Sequence, residues 1–153
     1  MRAGRIEQMA EAEELYERPR TRFVAQFLGS CNLLEATVKQ RGFSDAVVQT
    51  AIGELRVEWQ GQPERVRREK FAIAIRPEKV QVRAANETNG DNRVKTRVEQ
   101  LIYHGSETQY LLRAGEYQLK ARVLNARPGG QGFEVGQEVT AELPRASLIV
   151  LED

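Results

Sequence analysis

The sequence predicts a mainly β protein, a barrel or sandwich of short antiparallel strands preceded by two short helices. From Leu33 onward, alternating or apolar segments recur roughly every 8 to 12 residues and are separated by Gly, Pro, Asn or Asp. Before Leu33, apolar residues recur at helical spacing instead. The chain has 153 residues, 41% of them hydrophobic, so it is long enough to bury a core.

The stretch "ELYERPRTRFVAQFLGSCNLL" predicts both helices. The first spans about two turns and ends before Pro19, which disfavours helical backbone in the residue that precedes it. Thr21 is a candidate cap for the second helix, and Gly29 is a candidate C-terminal stop. Its apolar stripe consists of residues at spacings of one and four: Phe23, Val24, Phe27 and Leu28. Helices this short are marginal alone, so we expect the pair to dock against another surface.

Eight or nine strand segments follow, without an evident internal repeat. They are "LLEATVKQ", "AVVQTAIGELRVEW", "FAIAI", "KVQVRA", "RVKTRVEQLIY", "TQYLLRA", "YQLKARVL", "EVTAEL" and "SLIVL". The most polar break is "ANETNGDNR", residues 85–93, which contains an Asn-Gly turn signal. We expect a seam between two sub-barrels there.

The segment "FAIAIRPEKVQV" alternates large apolar residues with Ala72 and Ala74, so both faces of this strand are expected to be covered. Pro77 cannot donate to a sheet ladder and should end the strand at Arg76. Arg76 and Glu78 then lie at the strand tip, where they are candidates for an ion pair or a contact with a partner, and a solvated strand end is the alternative.

Charge and cysteine content exclude several function classes. Lys+Arg number 23 and Asp+Glu 22, so a formal net charge of +1 provides no global field for nucleic acid or anionic lipid. With Cys31 and His104 each the single residue of its type, neither an internal disulfide nor a metal cluster is expected. The N-terminus "MRAGRIEQ" is charged, and no apolar run approaches the ~20 residues that span a bilayer. We expect no direct membrane insertion.

Catalysis is not expected either. The sequence has no Gly-x-x-x-x-Gly-Lys-Ser/Thr motif to hold nucleotide phosphates. "RPGGQGFEVG" lacks the third glycine of a phosphate loop, because Val135 stands at that spacing, and it is interpreted as a connection between strands. His104 has no nearby activated serine or cysteine in the sequence and is interpreted as a turn residue. We therefore predict no catalytic, cofactor or metal residues.

The run "ERVRREK", residues 64–70, is the densest basic stretch and suggests an oligonucleotide-binding barrel as one alternative. Acidic residues lie within the same run, and aromatic residues on strands are more often core than stacking platforms. A solvated loop is the preferred interpretation, and no nucleic-acid partner is expected.

Taken in order, several motifs resemble the C-terminal portion of the ATP-binding subunits of bacterial ABC importers. They are "GRIEQ", "EELYERPRTRFVAQFLGSCNLL", "FAIAIRPEKV", "IYHGSETQYLLR" and "GQEVTAEL". The chain is most similar to the spermidine/putrescine group, with the iron, sulfate and maltose relatives behind it. The resemblance implies a transport-associated (TOBE), OB-like regulatory domain with an accessory and dimerising role.

The resemblance also implies a domain organisation. Residues 1–30 correspond to the end of a nucleotide-binding domain and a helical connector, and residues 31–153 to the regulatory domain. The phosphate loop, signature and Walker B carboxylates of relatives would lie upstream, so ATP is a cofactor only of full-length relatives. The implied partners are a second copy, the ATPase domain and the membrane permease subunits, with a cytoplasmic location peripheral to the inner membrane.

Two departures from the family pattern affect detail. Ala10, Glu11 and Ala12 stand where relatives begin the first helix with Gly and a Thr-Pro or Ser-Pro pair, so a side-chain cap is lost. Leu143 stands where relatives often carry tryptophan, which keeps an apolar plug but removes an aromatic ring.

Three functions remain as hypotheses: a regulatory and dimerisation domain, a module that senses a small anion or solute, and an oligonucleotide-binding barrel. The candidate interface or regulatory residues are Tyr16, Phe23, Phe27, Arg76, Glu78 and His104.

Overall fold

The structure, a computed structural model, describes residues 3–59, 68–125 and 132–153. Its helices are α1 Ala12–Glu17 and α2 Arg22–Phe27. Its strands are β1 Asn32–Arg41, β2 Asp45–Thr50, β3 Gly53–Glu58, β4 Lys70–Ile75, β5 Gln81–Ala84, β6 Arg93–Tyr103, β7 Glu107–Ala114, β8 Tyr117–Leu124, β9 Glu138–Glu142 and β10 Ile149–Val150. Two 3₁₀ helices, Pro77–Lys79 and Arg145–Ser147, follow β4 and β9. The predicted mainly β fold with two N-terminal helices is confirmed.

The strands form two antiparallel, curled five-stranded sheets. The order is β10-β4-β1-β2-β3 in the first sheet and β5-β9-β6-β7-β8 in the second. One continuous hydrophobic core takes buried residues from both sheets, including Val48, Leu55, Leu112 and Leu119. The two halves therefore fold around a shared interior rather than around separate cores.

The two halves repeat the same architecture, although the sequence shows no evident repeat. β1 has a bulge between Val38 and Gln40, and β6 has one between Val98 and Gln100. The first half ends with β4, the 3₁₀ helix Pro77–Lys79 and β5, and β5 joins the second sheet. The second half ends with β9, the 3₁₀ helix Arg145–Ser147 and β10, and β10 joins the first sheet. β5 is paired with β9, and β10 with β4, so the halves are linked by reciprocal strand exchange.

The chain passes from the first sheet to the second at residues 76–80 and returns at residues 143–148. Residues 85–92, within the stretch where the sequence suggested a seam, connect β5 to β6. Both strands lie in the second sheet, and along the chain this connection separates the two repeated halves. The Asn-Gly signal therefore lies in a connection between two strands of one sheet. The division into residues 1–30 and 31–153 stays a prediction, as does the seam between two sub-barrels.

Both faces of β4 are covered, as the alternation predicted. Phe71 and Ile73 point into the main core, whereas Ala72 and Ala74 belong to a second cluster with Ala25 of α2. The small alanine side chains leave room for a helix to lie close to the strand. The connector therefore packs on the outer face of β4.

The helix ends also agree with the sequence. Thr21 caps α2, because its hydroxyl oxygen accepts a hydrogen bond from Val24 N at 3.3 Å. Glu11 occupies the N-cap of α1 and makes no side-chain capping bond. Leu143 is fully buried and fills the interior at the end of β9. Within the described ranges, no helix is both long enough and apolar enough to span a bilayer.

Candidate functional site

Arg76 is the most unusual side chain of the described structure, because it is charged and only 2% exposed. Its Nη1 donates to the carbonyl oxygens of Ala25 at 2.7 Å, Ser30 at 3.3 Å and Gly29 at 3.4 Å. Its Nη2 donates to Tyr16 O at 3.1 Å. The last carbonyls of a helix have no intrahelical partner, so the guanidinium serves as a C-terminal cap for α2 and binds the segment after it.

Among the residues that the structure describes, the positive charge of Arg76 is stabilised without a carboxylate. The guanidinium carbon lies 4.0 Å from the centroid of the Tyr16 ring, a cation–π distance. No ion pair of Arg76 is found among the residues that the structure describes, and its Nε has no hydrogen-bond partner there. Carbonyl dipoles and one aromatic face therefore hold the charge, and both belong to the connector.

Tyr16 and Glu78 complete the site. The Tyr16 hydroxyl donates to Glu78 Oε1 at 2.5 Å, and one residue further on Glu17 Oε2 lies 3.4 Å from Lys79 Nζ. α1 is thus attached to the 3₁₀ helix at which the chain changes sheets. We call Tyr16, Arg76 and Glu78 the connector clamp.

Burial and the hydrogen bond to Glu78 raise the pKa of Tyr16 above its ordinary value of 10.0. A group whose pKa is higher in the folded state contributes stability below its unfolded pKa and loses it as pH rises through the folded value. We expect the clamp to be intact up to about pH 10 and to weaken above it. The difference between the tyrosinate absorbance titrations of wild type and Tyr16→Phe gives the titration of Tyr16 alone. A Tyr16 titration at or below the ordinary pKa of 10.0 would contradict the expectation.

The structure brings together three of the six residues singled out from the sequence: Tyr16, Arg76 and Glu78. Phe23 and Phe27 stack with ring centroids 5.6 Å apart and an interplanar angle of 22°. Phe23 is half-buried, whereas Phe27 is 72% exposed. The predicted stripe contains Val24, which is buried, and Phe27, which is not. The buried residues of α2 are Val24 and Ala25.

His104 lies on the turn between β6 and β7 and is exposed. Its backbone N donates to Glu107 O at 2.8 Å, and no contact with the connector clamp is found within the described ranges. Most of the basic run 64–70 lies outside the described residues.

A cleft of about 490 Å³ lies beside the clamp, where the two edges of the second sheet approach each other. We call it the edge cleft; its lining residues are Glu78, Val80, Gln81, Val82, Glu107, Arg122, Val123 and Leu124. Arg122 Nε lies 3.5 Å from Glu107 Oε1, and Leu124 is 77% exposed. Glu78 therefore belongs both to the clamp and to the cleft.

Sequence reasoning did not single out Glu107 or Arg122. The alternation of "YQLKARVL" places Lys120 and Arg122 on one face of β8, which was the available signal. The approach of β5 to β8 depends on the strand exchange and has no local signal. Among the described residues, no group of three or more His, Cys, Asp or Glu side chains is placed to hold a metal ion.

Comparison with known proteins shows which family has this sequence and which solved structure has this fold. Residues 73–151 match the family model of the TOBE domain. The chain belongs to the TOBE domain family. The match extends from β4 to the residue after β10 and thus includes Arg76, Glu78 and the edge cleft. The family resemblance deduced from the motifs is confirmed.

Curated relatives of this TOBE domain carry the name spermidine/putrescine import ATP-binding protein PotA. One from Rubrobacter xylanophilus is 44% identical over 74% of the chain and 29% of its own length. The PotA 2 protein of Pseudomonas aeruginosa is 36% identical over 92% of the chain and 39% of its length, and one from Nitrosospira multiformis is 32% identical over 100% and 43%. The chain therefore spans less than half of the length of these relatives.

A solved structure shares the fold. It is the cytoplasmic molybdate-binding protein ModG in a form with molybdate bound, which covers 80% of this chain and 96% of its own with a TM-score of 0.66. At 10% identity the likeness shows the fold alone. It supports the OB-like architecture predicted for this TOBE domain.

Proposed function

We propose that this TOBE domain is the C-terminal regulatory and dimerisation domain of an importer ATP-binding subunit of the polyamine type. It contributes no nucleotide site of its own, since its sequence lacks a phosphate loop. In the assembled transporter it lies in the cytoplasm, peripheral to the inner membrane, with the ATPase domain and permease subunits as partners. The PotA relatives, which extend well beyond the matched region, support this interpretation.

The observation that carries the proposal is the two-sided connector. On one side, α2 buries Ala25 against β4, and Arg76 binds the carbonyls at its C-terminal end. On the other, Phe27 projects into solvent beside Phe23. Earlier in the same segment, Ile6 and Met9 are also exposed, by 60% and 80%. Exposed apolar residues that cluster along one segment are typical of a surface covered by another domain. The ATPase domain of a full-length subunit is the proposed cover.

A chimera tests this proposal. The matched region of the Pseudomonas aeruginosa relative is replaced by this chain, and ATP hydrolysis and spermidine uptake are measured in the assembled transporter. We expect the chimera to support both activities, and the chimera with Phe23→Ser and Phe27→Ser to be impaired. A chimera that is inactive although it is folded and assembled would contradict the proposal, as would reproducible ATP hydrolysis by the present chain alone.

Phe27 offers a separate prediction on the isolated chain. Because Phe27 is largely exposed, Phe27→Ser should change the free energy of unfolding by less than about 0.5 kcal/mol. Denaturant unfolding measures this change. The buried neighbour Val24→Ser serves as the contrast and should cost about 2 kcal/mol or more, since it places a hydroxyl in a buried apolar site. Equal losses in the two variants would show that α2 docks through its aromatic side.

The dimerisation part of the proposal is tested by light scattering. We expect concentration-dependent self-association of the isolated domain, because sheet edges and exposed apolar residues favour burial against a second copy. A strict monomer at high micromolar concentration would remove dimerisation from the proposal while leaving the connector role intact.

A second candidate function is the sensing of a small anion or solute. The edge cleft favours it, since its volume of about 490 Å³ lies within the usual range of small-molecule sites. ModG, which shares this fold, is a molybdate-binding protein. Calorimetry with spermidine, putrescine, sulfate, phosphate and molybdate tests the candidate, and an absence of heat and of thermal shift for all five would eliminate it.

A further inference from the structure

The two connector helices are attached to the sheets by different kinds of contact. α2 contains the buried residues Val24 and Ala25 and is capped by Thr21. α1 contains no buried residue and has no side-chain cap at Glu11. A helix of six residues has too few internal hydrogen bonds to persist alone. The position of α1 therefore depends on its contacts with the rest of the chain.

Most of those contacts converge on one short segment; besides them, Gln8 Nε2 donates to Arg18 O at 3.2 Å, and Arg20 N donates to Gln8 Oε1 at 2.9 Å. Tyr16 bonds Glu78, Glu17 pairs with Lys79, and Arg76 lies beneath Tyr16, all at or beside the 3₁₀ helix Pro77–Lys79. The Glu17–Lys79 pair is 46% and 41% exposed, and exposed ion pairs contribute little. Arg76 Nη2 also donates to Tyr16 O at 3.1 Å, so the Tyr16–Glu78 hydrogen bond is one of two charge-assisted links between α1 and this segment, and it is the one that joins two side chains.

The chain after α1 is anchored independently. Arg20 O accepts a hydrogen bond from Glu152 N at 2.7 Å, and Arg22 N donates to Asp153 Oδ1 at 2.8 Å. Pro19 is buried, and its ring fixes its own φ. Arg18, with φ −134° and ψ 57°, lies outside the helical region and is the last residue before this anchored part. A pivot of the backbone at Arg18 leaves α2 in place and breaks the exposed hydrogen bonds that join Gln8 to Arg18 O and Arg20 N.

We propose that α1 is a releasable segment that pivots at Arg18 while α2 stays docked, and that the Tyr16–Glu78 hydrogen bond is the latch that holds it. The Glu78 carboxylate also lines the edge cleft near Arg122. A group bound in the cleft that draws this carboxylate away from Tyr16 weakens the latch, so the cleft and the position of α1 are coupled through one side chain. The latch is a property of this chain alone and does not require an adjoining ATPase domain.

Amide exchange measured by NMR on the full chain tests the latch. Leu15 N and Arg18 N report on α1, because they donate to Glu11 O and Glu14 O. Ala25 N and Leu28 N report on α2, and the amides of β4 report on global unfolding. The variants are Tyr16→Phe, which keeps the ring over Arg76 but removes the donor, Glu78→Ala, which removes the acceptor, and the two combined. Tyr103→Phe, at an exposed tyrosine of β6, is the control.

Under the proposal, each single variant accelerates exchange in α1 about fivefold or more and leaves α2 and β4 unchanged. The double variant adds nothing further, because both substitutions remove the same hydrogen bond. Exchange that rises equally in α1 and α2 would show one rigid connector and overturn the proposal. Unchanged exchange in α1, or acceleration that extends to β4, would overturn it as well.

Discussion

Arg76→Met is expected to lower the free energy of unfolding by about 3 kcal/mol, because the carbonyls of Tyr16, Ala25, Gly29 and Ser30 lose their donor while they remain covered. Methionine keeps much of the apolar volume of the arginine stem, so the loss reports on the hydrogen bonds and the charge rather than on a cavity. For a chain of this size, the melting temperature should fall by roughly 10 °C. Denaturant and thermal unfolding measure both quantities.

Two matched variants sharpen the Arg76 prediction. Arg76→Lys keeps the positive charge but replaces the planar fork by a single ammonium, which cannot reach the carbonyls of both helices at once. We expect it to be destabilised by about 2 kcal/mol. Arg97→Met removes an arginine whose side chain is 60% exposed and pairs with Glu138 at 3.1 Å, and should change stability by less than about 0.5 kcal/mol. If all three variants are equally stable, the clamp does not hold the connector.

Asn92→Ala is expected to cost about 3 to 4 kcal/mol, since it removes three hydrogen bonds from a buried position. Asn92 Oδ1 accepts from Arg56 N at 2.6 Å, and Nδ2 donates to Arg56 O at 2.8 Å and to Leu143 O at 3.0 Å. These bonds join the edge strand β3 of the first sheet to the second half of the chain. Asn92 also adopts a φ of 54°, which alanine tolerates poorly.

Asn92→Gly separates the two causes. Glycine accepts the positive φ but lacks the amide, so it should be about 1 kcal/mol more stable than Asn92→Ala. Asn32 occupies the corresponding position of the first half, and its amide exchanges two bonds of 2.8 Å with the backbone of Lys120 in β8. Asn32→Ala should therefore cost about 2 kcal/mol. Urea unfolding of the three variants checks the order, and an Asn92→Ala protein as stable as wild type would contradict it.

The asparagine pair shows what the internal repeat does for the fold. Each asparagine lies six residues before the valine that begins the bulge of its strand, Val38 or Val98. Each side chain bonds the backbone of an edge strand in the opposite half, β8 or β3. The halves are therefore locked by side-chain amides as well as by exchanged strands. Arg76 precedes the first 3₁₀ helix, and the corresponding residue before the second 3₁₀ helix is Pro144. The arginine that caps α2 therefore has no counterpart in the second half.

Local rules predicted the elements well. Period-two alternation placed the strands, Pro77 ended β4 close to the expected residue, and Thr21 caps α2 as predicted. Ala72 and Ala74 indicated that a second layer covers β4, and α2 provides it. These features depend on residues that are close in sequence, where backbone sterics and hydrogen bonding act directly.

The site was predicted only in part. The sequence placed Arg76 and Glu78 at a strand tip but left open what they contact. Arg76 reaches carbonyls 46 to 60 residues away in the chain, and that contact exists only once α2 lies on β4. The stripe of Phe23, Val24, Phe27 and Leu28 was recognised. Which side of α2 faces the protein was decided by the small residues of β4.

The sequence by itself determined that this TOBE domain is mainly β, that two short helices precede its strands, and which family it resembles. The tertiary structure alone decided that the halves exchange strands, that Arg76 is buried as the cap of α2, and that Glu78 is shared between α1 and the edge cleft. The physical reason is the range of the interactions. Helix and strand periodicity arises within a few residues, whereas a buried charge is stable only where distant carbonyls converge on it.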